Sequence, residues 1–196
     1  IIHNTIRSLL LIRHSEFVFI VKSLVGKKFK TDYNGTYSGL LINIDDINTV
    51  IIYKSHFKLM NGMKVSQVRQ LNIHLTIFKQ CSCALKIGGK IYTSTQIFVF
   101  KTQFLEGFCK IHSASMHIFF KCNVVSERHM AGSTVCIILF GVVFKNSCSR
   151  ERGSALCIAK SDIGNNLNIN TTCLIAKTLF YNNTSQASGG AICIWN

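Results

Sequence analysis

The chain repeats itself at a distance of 36 residues. Phe144 answers Phe180, Asn146 answers Asn182 and Gly153 answers Gly189. Ala155, Leu156, Cys157 and Ile158 answer Ala191, Ile192, Cys193 and Ile194 at the same offset. Each copy runs from an aromatic residue through small polar residues to a glycine and an alternating apolar run, which reads as strand–turn–strand. A unit of this size cannot offset its own ordering entropy. It becomes stable only when its neighbours stack on it and bury a shared core. A repeat architecture is therefore the first expectation.

Composition points to strands. The chain contains no proline and 14 phenylalanines, and Ile, Val and Thr are abundant. β-branched and aromatic residues suit a pleated surface, and a parallel ladder tolerates proline poorly because every strand must donate hydrogen bonds. At 48% hydrophobic the chain is not a disordered segment. No apolar run reaches the ~18 residues of a membrane helix. The nearest candidate, residues 6–25, is interrupted by Arg7, Arg13, His14, Glu16 and Lys22. Because the chain begins at Ile1, the expectation is a fragment with its leader upstream and further repeats downstream.

Residues 1–28 are irregular. Leu9, Leu10, Ile12 and Arg13 could share a helix face, whereas Phe17, Phe19 and Val21 alternate like a strand. This segment is expected to be an irregular or partly helical cap. Residues 29–196 are expected to be the repeats, truncated at the C-terminus. Phe29 opens the first unit, which turns at Asp32, Asn34 and Gly35 and continues through Gly39 into Leu40, Leu41 and Ile42. Weaker copies start at Phe57 and at Phe78, the latter reaching Gly88-Gly89-Lys90-Ile91. Another runs from Phe120 through Asn123 to Gly132 and the segment Ser133-Thr134-Val135-Cys136-Ile137. The step from Gly132 to Gly153 is the shortest between these glycines and sets the expected size of one coil. Coils of about 18 to about 25 residues are expected, two of them in each longer interval. The fold class that follows is all-β, a parallel β-helix solenoid. Leu156 with Ile192, and Ile158 with Ile194, would form aliphatic columns, with glycines at the corners.

Phe180-Tyr181-Asn182-Asn183 followed by Gly189-Gly190-Ala191-Ile192 resembles the paired F-x-x-N and G-G-A-[ILV] motifs of polymorphic outer-membrane proteins and similar surface proteins. Phe120 to Asn123 is similar to the first motif, and Gly153-Ser154-Ala155-Leu156 and Gly132-Ser133-Thr134-Val135 to the second. The resemblance is carried mainly by the last third of the chain. It implies a right-handed parallel β-helix of the pectin-lyase-like type, displayed at the cell surface or secreted, acting as an adhesive or structural scaffold. It also implies partners among cell-surface proteins or glycans.

No residue constellation specifies a reaction, so the chain is expected not to be an enzyme and to use no cofactor. A degenerate polysaccharide-active β-helix is the alternative, and it would need clustered carboxylates. Only Asp45 and Asp46 are adjacent among eight acidic residues, and neighbours on a strand point to opposite faces. The net charge of +14 allows a polyanion-binding surface, although the basic residues are scattered and no specific nucleic-acid site is indicated. Cys109, His112, His117 and Cys122 have a zinc-like spacing, but their apolar surroundings favour coincidence, and no metal is expected. Cys136, Cys157 and Cys193 fall in one motif slot. They would stack as small side chains, or as a disulfide where coils adjoin. Asn34 and Asn170 head N-x-S/T sequons and are candidate glycan sites, whereas Asn182 and Asn183 are expected to serve the turn.

Overall fold

The computed structural model describes residues 10–21, 24–26, 41–58, 62–90, 94–109, 115–121, 134–150, 153–161, 170–187 and 189–195. These residues are all-β, contain no helix, and pair only in parallel. The chain visits its sheets in a fixed order. The first three traverses are β1 (Leu10–Val21) with β2 (Leu24–Gly26), β3 (Leu41–Tyr53) with β4 (His56–Lys58), and β5 (Gly62–His74) with β6 (Ile77–Lys79). The fourth comprises β7 (Leu85–Lys90), β8 (Ser94–Phe100), β9 (Gln103–Leu105) and β10 (Phe108–Cys109). The fifth comprises β11 (Met116–Lys121), β12 (Thr134–Phe140), β13 (Val143–Lys145) and β14 (Cys148–Ser149). The sixth comprises β15 (Leu156–Ser161), β16 (Asn170–Ala176), β17 (Leu179–Tyr181) and β18 (Thr184–Ser185), and β19 (Ile192–Trp195) opens the next.

Three sheets result, with ten, six and three strands among the described residues. The largest is forked. In β3 and β5 one long strand serves both arms, and it bends where Asp46 and Gln67 take positive φ values of 56° and 53°. Beyond β5 the arms separate, because β7 pairs with its first half and β8 with its second.

Leu10–Val21 is a strand, not a helix, and pairs with β3 from Leu10↔Ile42 to Val21↔Tyr53. Regular stacking thus already includes Leu10, upstream of the boundary expected at residue 28. Residues 1–9 and the first turn expected around Asp32, Asn34, Gly35 and Gly39 lie outside the described residues.

Alternation decides which side chains are inside. Ile42, Met63, Leu85, Met116 and Leu156 form one buried column, and Ile44, Val65, Ile87, Ile118 and Ile158 a second. Each such side chain contributes about 1.5–3 kcal/mol by leaving water. Leu156 pairs with Ile192 and Ile158 with Ile194, extending both columns to β19, where Ile194 is 67% exposed.

The corner before the six-stranded sheet has a recurring chemistry. Lys54, Leu75, Lys101, Gly141 and Lys177 all have positive φ there. Their amides do not go unpaired: Lys54 donates to His74 O, Leu75 to Phe100 O, Lys101 to Phe140 O and Gly141 to Ala176 O. One residue later a hydroxyl turns back on its own chain. Ser55, Thr76, Thr102 and Thr178 donate to the carbonyls of Tyr53, His74, Phe100 and Ala176 at 2.9–3.1 Å. Val142 is the equivalent residue of the fifth traverse and is fully buried. Val142→Thr is expected to be tolerated within about 1 kcal/mol, because the site supplies Phe140 O as an acceptor. At Val99, inside the apolar column of β8, the same exchange should cost more; urea denaturation of the two variants compares them.

Candidate functional site

Two of the repeat-motif residues, Phe144 and Phe180, belong to an internal aromatic ladder. Phe57, Phe78, Phe104, Phe144 and Phe180 occupy one column of the six-stranded sheet. Their ring centroids are 4.9, 4.9, 4.9 and 5.0 Å apart, with interplanar angles of 13° or less. Phe144 and Phe180 are direct partners in the register, so the repeat interval seen in the sequence is a single traverse of the sheets, not two. The steps from Phe57 to Phe78, from Phe78 to Phe104 and from Phe104 to Phe144 are unequal, and each is also one traverse. The expected length of about 18 to about 25 residues therefore fits the step from Phe57 to Phe78 and is exceeded in the later ones.

Asn146 and Asn182 sit at positive φ after their phenylalanines, and Asn182 Nδ2 donates to Asn146 Oδ1 at 3.1 Å. Asn183 reaches the preceding traverse instead. Its Oδ1 accepts from the Ser147 amide at 3.1 Å, and its Nδ2 donates to Phe144 O at 2.9 Å. Gly153 and Gly189 turn into their strands with φ values of 56° and 62°. Buried Ala155 donates through its amide to the Ala191 carbonyl, and the Ser154 hydroxyl donates to Gly190 O.

Phe120 does not belong to this column. It is buried in β11, where it pairs with Gly89 and Lys160, in a different sheet from the ladder. Asn123 and Gly132 lie outside the described residues, as does Asn34. Asn170 opens β16 and is exposed. Gly88 is not a corner either: it lies within β7, and a β-carbon there would stand 2.5 Å from Phe119 O.

The cysteines divide differently from the sequence expectation. Cys157 and Cys193 are side by side in the register. Cys136 is on the other arm of the large sheet, opposite Gln96 and Thr172, so it does not adjoin Cys157. Cys173, which pairs with the neighbouring Ile137, is exposed, and partial desolvation, then Cys136, pushes its thiol up. A disulfide joins Cys83 to Cys109, 26 residues apart. That separation equals the step from Phe78 to Phe104, so both cysteines stand at the same place in successive traverses. Closing such a loop is worth roughly 3 kcal/mol of stability. The double variant Cys83→Ser/Cys109→Ser should lose about that much in a denaturation midpoint. Reductant should lower the parent by the same increment and leave the variant unmoved; a parent insensitive to reductant would mean that the bond contributes nothing.

Cys109 is therefore not available as a metal ligand, and His112 and Cys122 lie outside the described residues. Among the described residues no three His, Cys, Asp or Glu side chains gather as a metal would require. Asp45 is half-buried and accepts from Gln67 Nε2 at 3.2 Å, while Asp46 forms the exposed bend of β3. No described helix is long and apolar enough to cross a membrane.

The outer face of the large sheet carries a cleft of about 280 Å³ that sequence reasoning missed. Lys64, Lys86 and His117 line it from one column, and Ser66, Gly88 and Phe119 from the column two residues along. Burial depresses the Lys86 ammonium below its ordinary value, and the adjacent Lys64 charge depresses it further. The His117 and Phe119 rings stand 6.0 Å apart at 45°. The signal was the strand alternation itself: K-V-S in β5 and K-I-G in β7 place lysine on one face in both.

No family model, curated protein or solved structure matches the chain.

Proposed function

We propose that the chain is part of a right-handed parallel β-helix of the pectin-lyase-like kind, working outside the cell as a non-catalytic scaffold for adhesion or surface structure. The aromatic ladder carries this reading. Five stacked phenylalanines, in coils of unequal length, describe a core held constant while the loops are free to change. Such a molecule presents long lateral faces at fixed spacing, which suits recognition of extended surface proteins or glycans. The Cys83–Cys109 bond fits an oxidising compartment. The motif resemblance supplies the cell-surface context. Asp45 and Asp46, the adjacent acidic pair, offer one half-buried and one exposed carboxylate at a bend, a poor arrangement for acid–base chemistry.

Protease shaving of intact source cells, followed by detection with an antibody to the chain, tests the location. Purified chain added to those cells should compete with their attachment. Protection from protease together with no competition would reject the proposal. So would cleavage of pectin or a related polymer that Asp45→Asn abolishes.

A further inference from the structure

We propose that the cleft between β5, β7 and β11 binds a small ligand carrying a carboxylate, or a comparable oxyanion, on a flat apolar body. The inference stands apart from the scaffold reading. Lys64 and Lys86 are direct neighbours in a parallel ladder whose strands lie about 4.8 Å apart. Like charges directly opposite each other repel and weaken a sheet. Among the described residues neither lysine is held in an ion pair, whereas Lys79 on the next sheet has Glu106 at 3.5 Å. An oxyanion between the two ammonium groups would remove the repulsion, and it would favour the charged form of Lys86 that burial and Lys64 disfavour.

The remaining lining says what else the ligand must be. Gly88 leaves the floor of the cleft without a side chain, between Ser66 and Phe119 in its column. The paired His117 and Phe119 rings supply a wall against which a planar body can lie, and Ser66 adds a hydroxyl. A mostly apolar cavity with a few polar groups at one side is the usual make-up of a small-molecule site. The general charge of +14 would draw anions anywhere on the surface, so the test must separate this cleft from that background.

The purified chain is titrated with benzoate, acetate and inorganic phosphate at constant ionic strength, following the backbone amide signals of Ser66, Gly88 and Phe119. Benzoate should give saturable shifts at these three positions, and acetate should bind more weakly. Lys64 is exposed, so Lys64→Gln should keep its spectrum elsewhere while benzoate affinity falls about tenfold, the loss of one charge-assisted contact. Phe119→Ala should erase the advantage of benzoate over acetate, and Lys79→Gln should change nothing. Shifts that grow without saturation for all three anions alike would overturn the proposal. So would benzoate affinity that is unchanged in Lys64→Gln. Phosphate binding as tightly as benzoate would overturn the requirement for an apolar body.

Discussion

Phe104→Ala is expected to destabilise the protein by about 3–5 kcal/mol, the range for deleting a fully buried aromatic ring. Phe104 is 1% exposed and lies between Phe78 and Phe144 at 4.9 Å on each side. Its removal leaves a cavity inside the stack that neither neighbour can fill, because each is fixed by its own parallel pairings. Ring–ring contact adds a second readout. A double-mutant cycle between Phe104 and Phe144 should give a coupling of about 0.5–1.5 kcal/mol. The same cycle between Phe120 and Phe144 should give almost none, since Phe120 is buried on a strand of another sheet. Equal coupling in both cycles would mean that the aromatic column is not a physical unit.

Gly62→Ala is the second large effect, and its cause is the backbone. Gly62 has φ +93°, beyond the small left-handed region that other residues reach. A β-carbon there would also overlap the carbonyl oxygen of Cys83, which is main chain and cannot rotate away. Strain of about 1–2 kcal/mol from the dihedral and about 1–3 from the overlap together predict a loss of about 2–5 kcal/mol. Gly153→Ala is the informative comparison. Its φ of 56° is one that Asn146 and Asp46 also adopt, so the dihedral part of its cost should be smaller. Thermal unfolding of the two variants ranks them; a Gly62→Ala midpoint equal to that of the parent would contradict the close approach to Cys83.

The repeat between Phe144 and Phe180 was legible because one offset relates every paired strand of those two traverses. Phe104 was missed because its traverse differs in length. The step from Phe104 to Phe144 is much longer than the step from Phe78 to Phe104, so no single offset aligns all three. The lengths diverge where the forked arms separate. In β5 only Gln67, Val68 and Arg69 lie between the pairings of the two arms, whereas the whole of 122–133 lies between β11 and β12. Loop-closure entropy rises only slowly with length, so such insertions cost little while the core register persists.

Local letters also misled. Val135-Cys136-Ile137 imitates Leu156-Cys157-Ile158 because every strand here alternates apolar residues with period two. Nothing in so short a run tells one arm of the sheet from the other. The disulfide was available in principle. Cys83 follows Phe78 at the same distance as Cys109 follows Phe104, a coincidence visible once Phe104 is placed in the column. The lysine pair of the cleft needed the register itself, since the separation of Lys64 from Lys86 matches no interval of the phenylalanine column.

Selective labelling of the phenylalanine rings, with assignment by single Phe→Leu exchanges, allows ring–ring proton contacts to be read directly by nuclear magnetic resonance. An unbroken series of contacts is expected: Phe57 to Phe78, Phe78 to Phe104, Phe104 to Phe144, and Phe144 to Phe180. A series that skips Phe104, or that places Phe120 between Phe104 and Phe144, would contradict it.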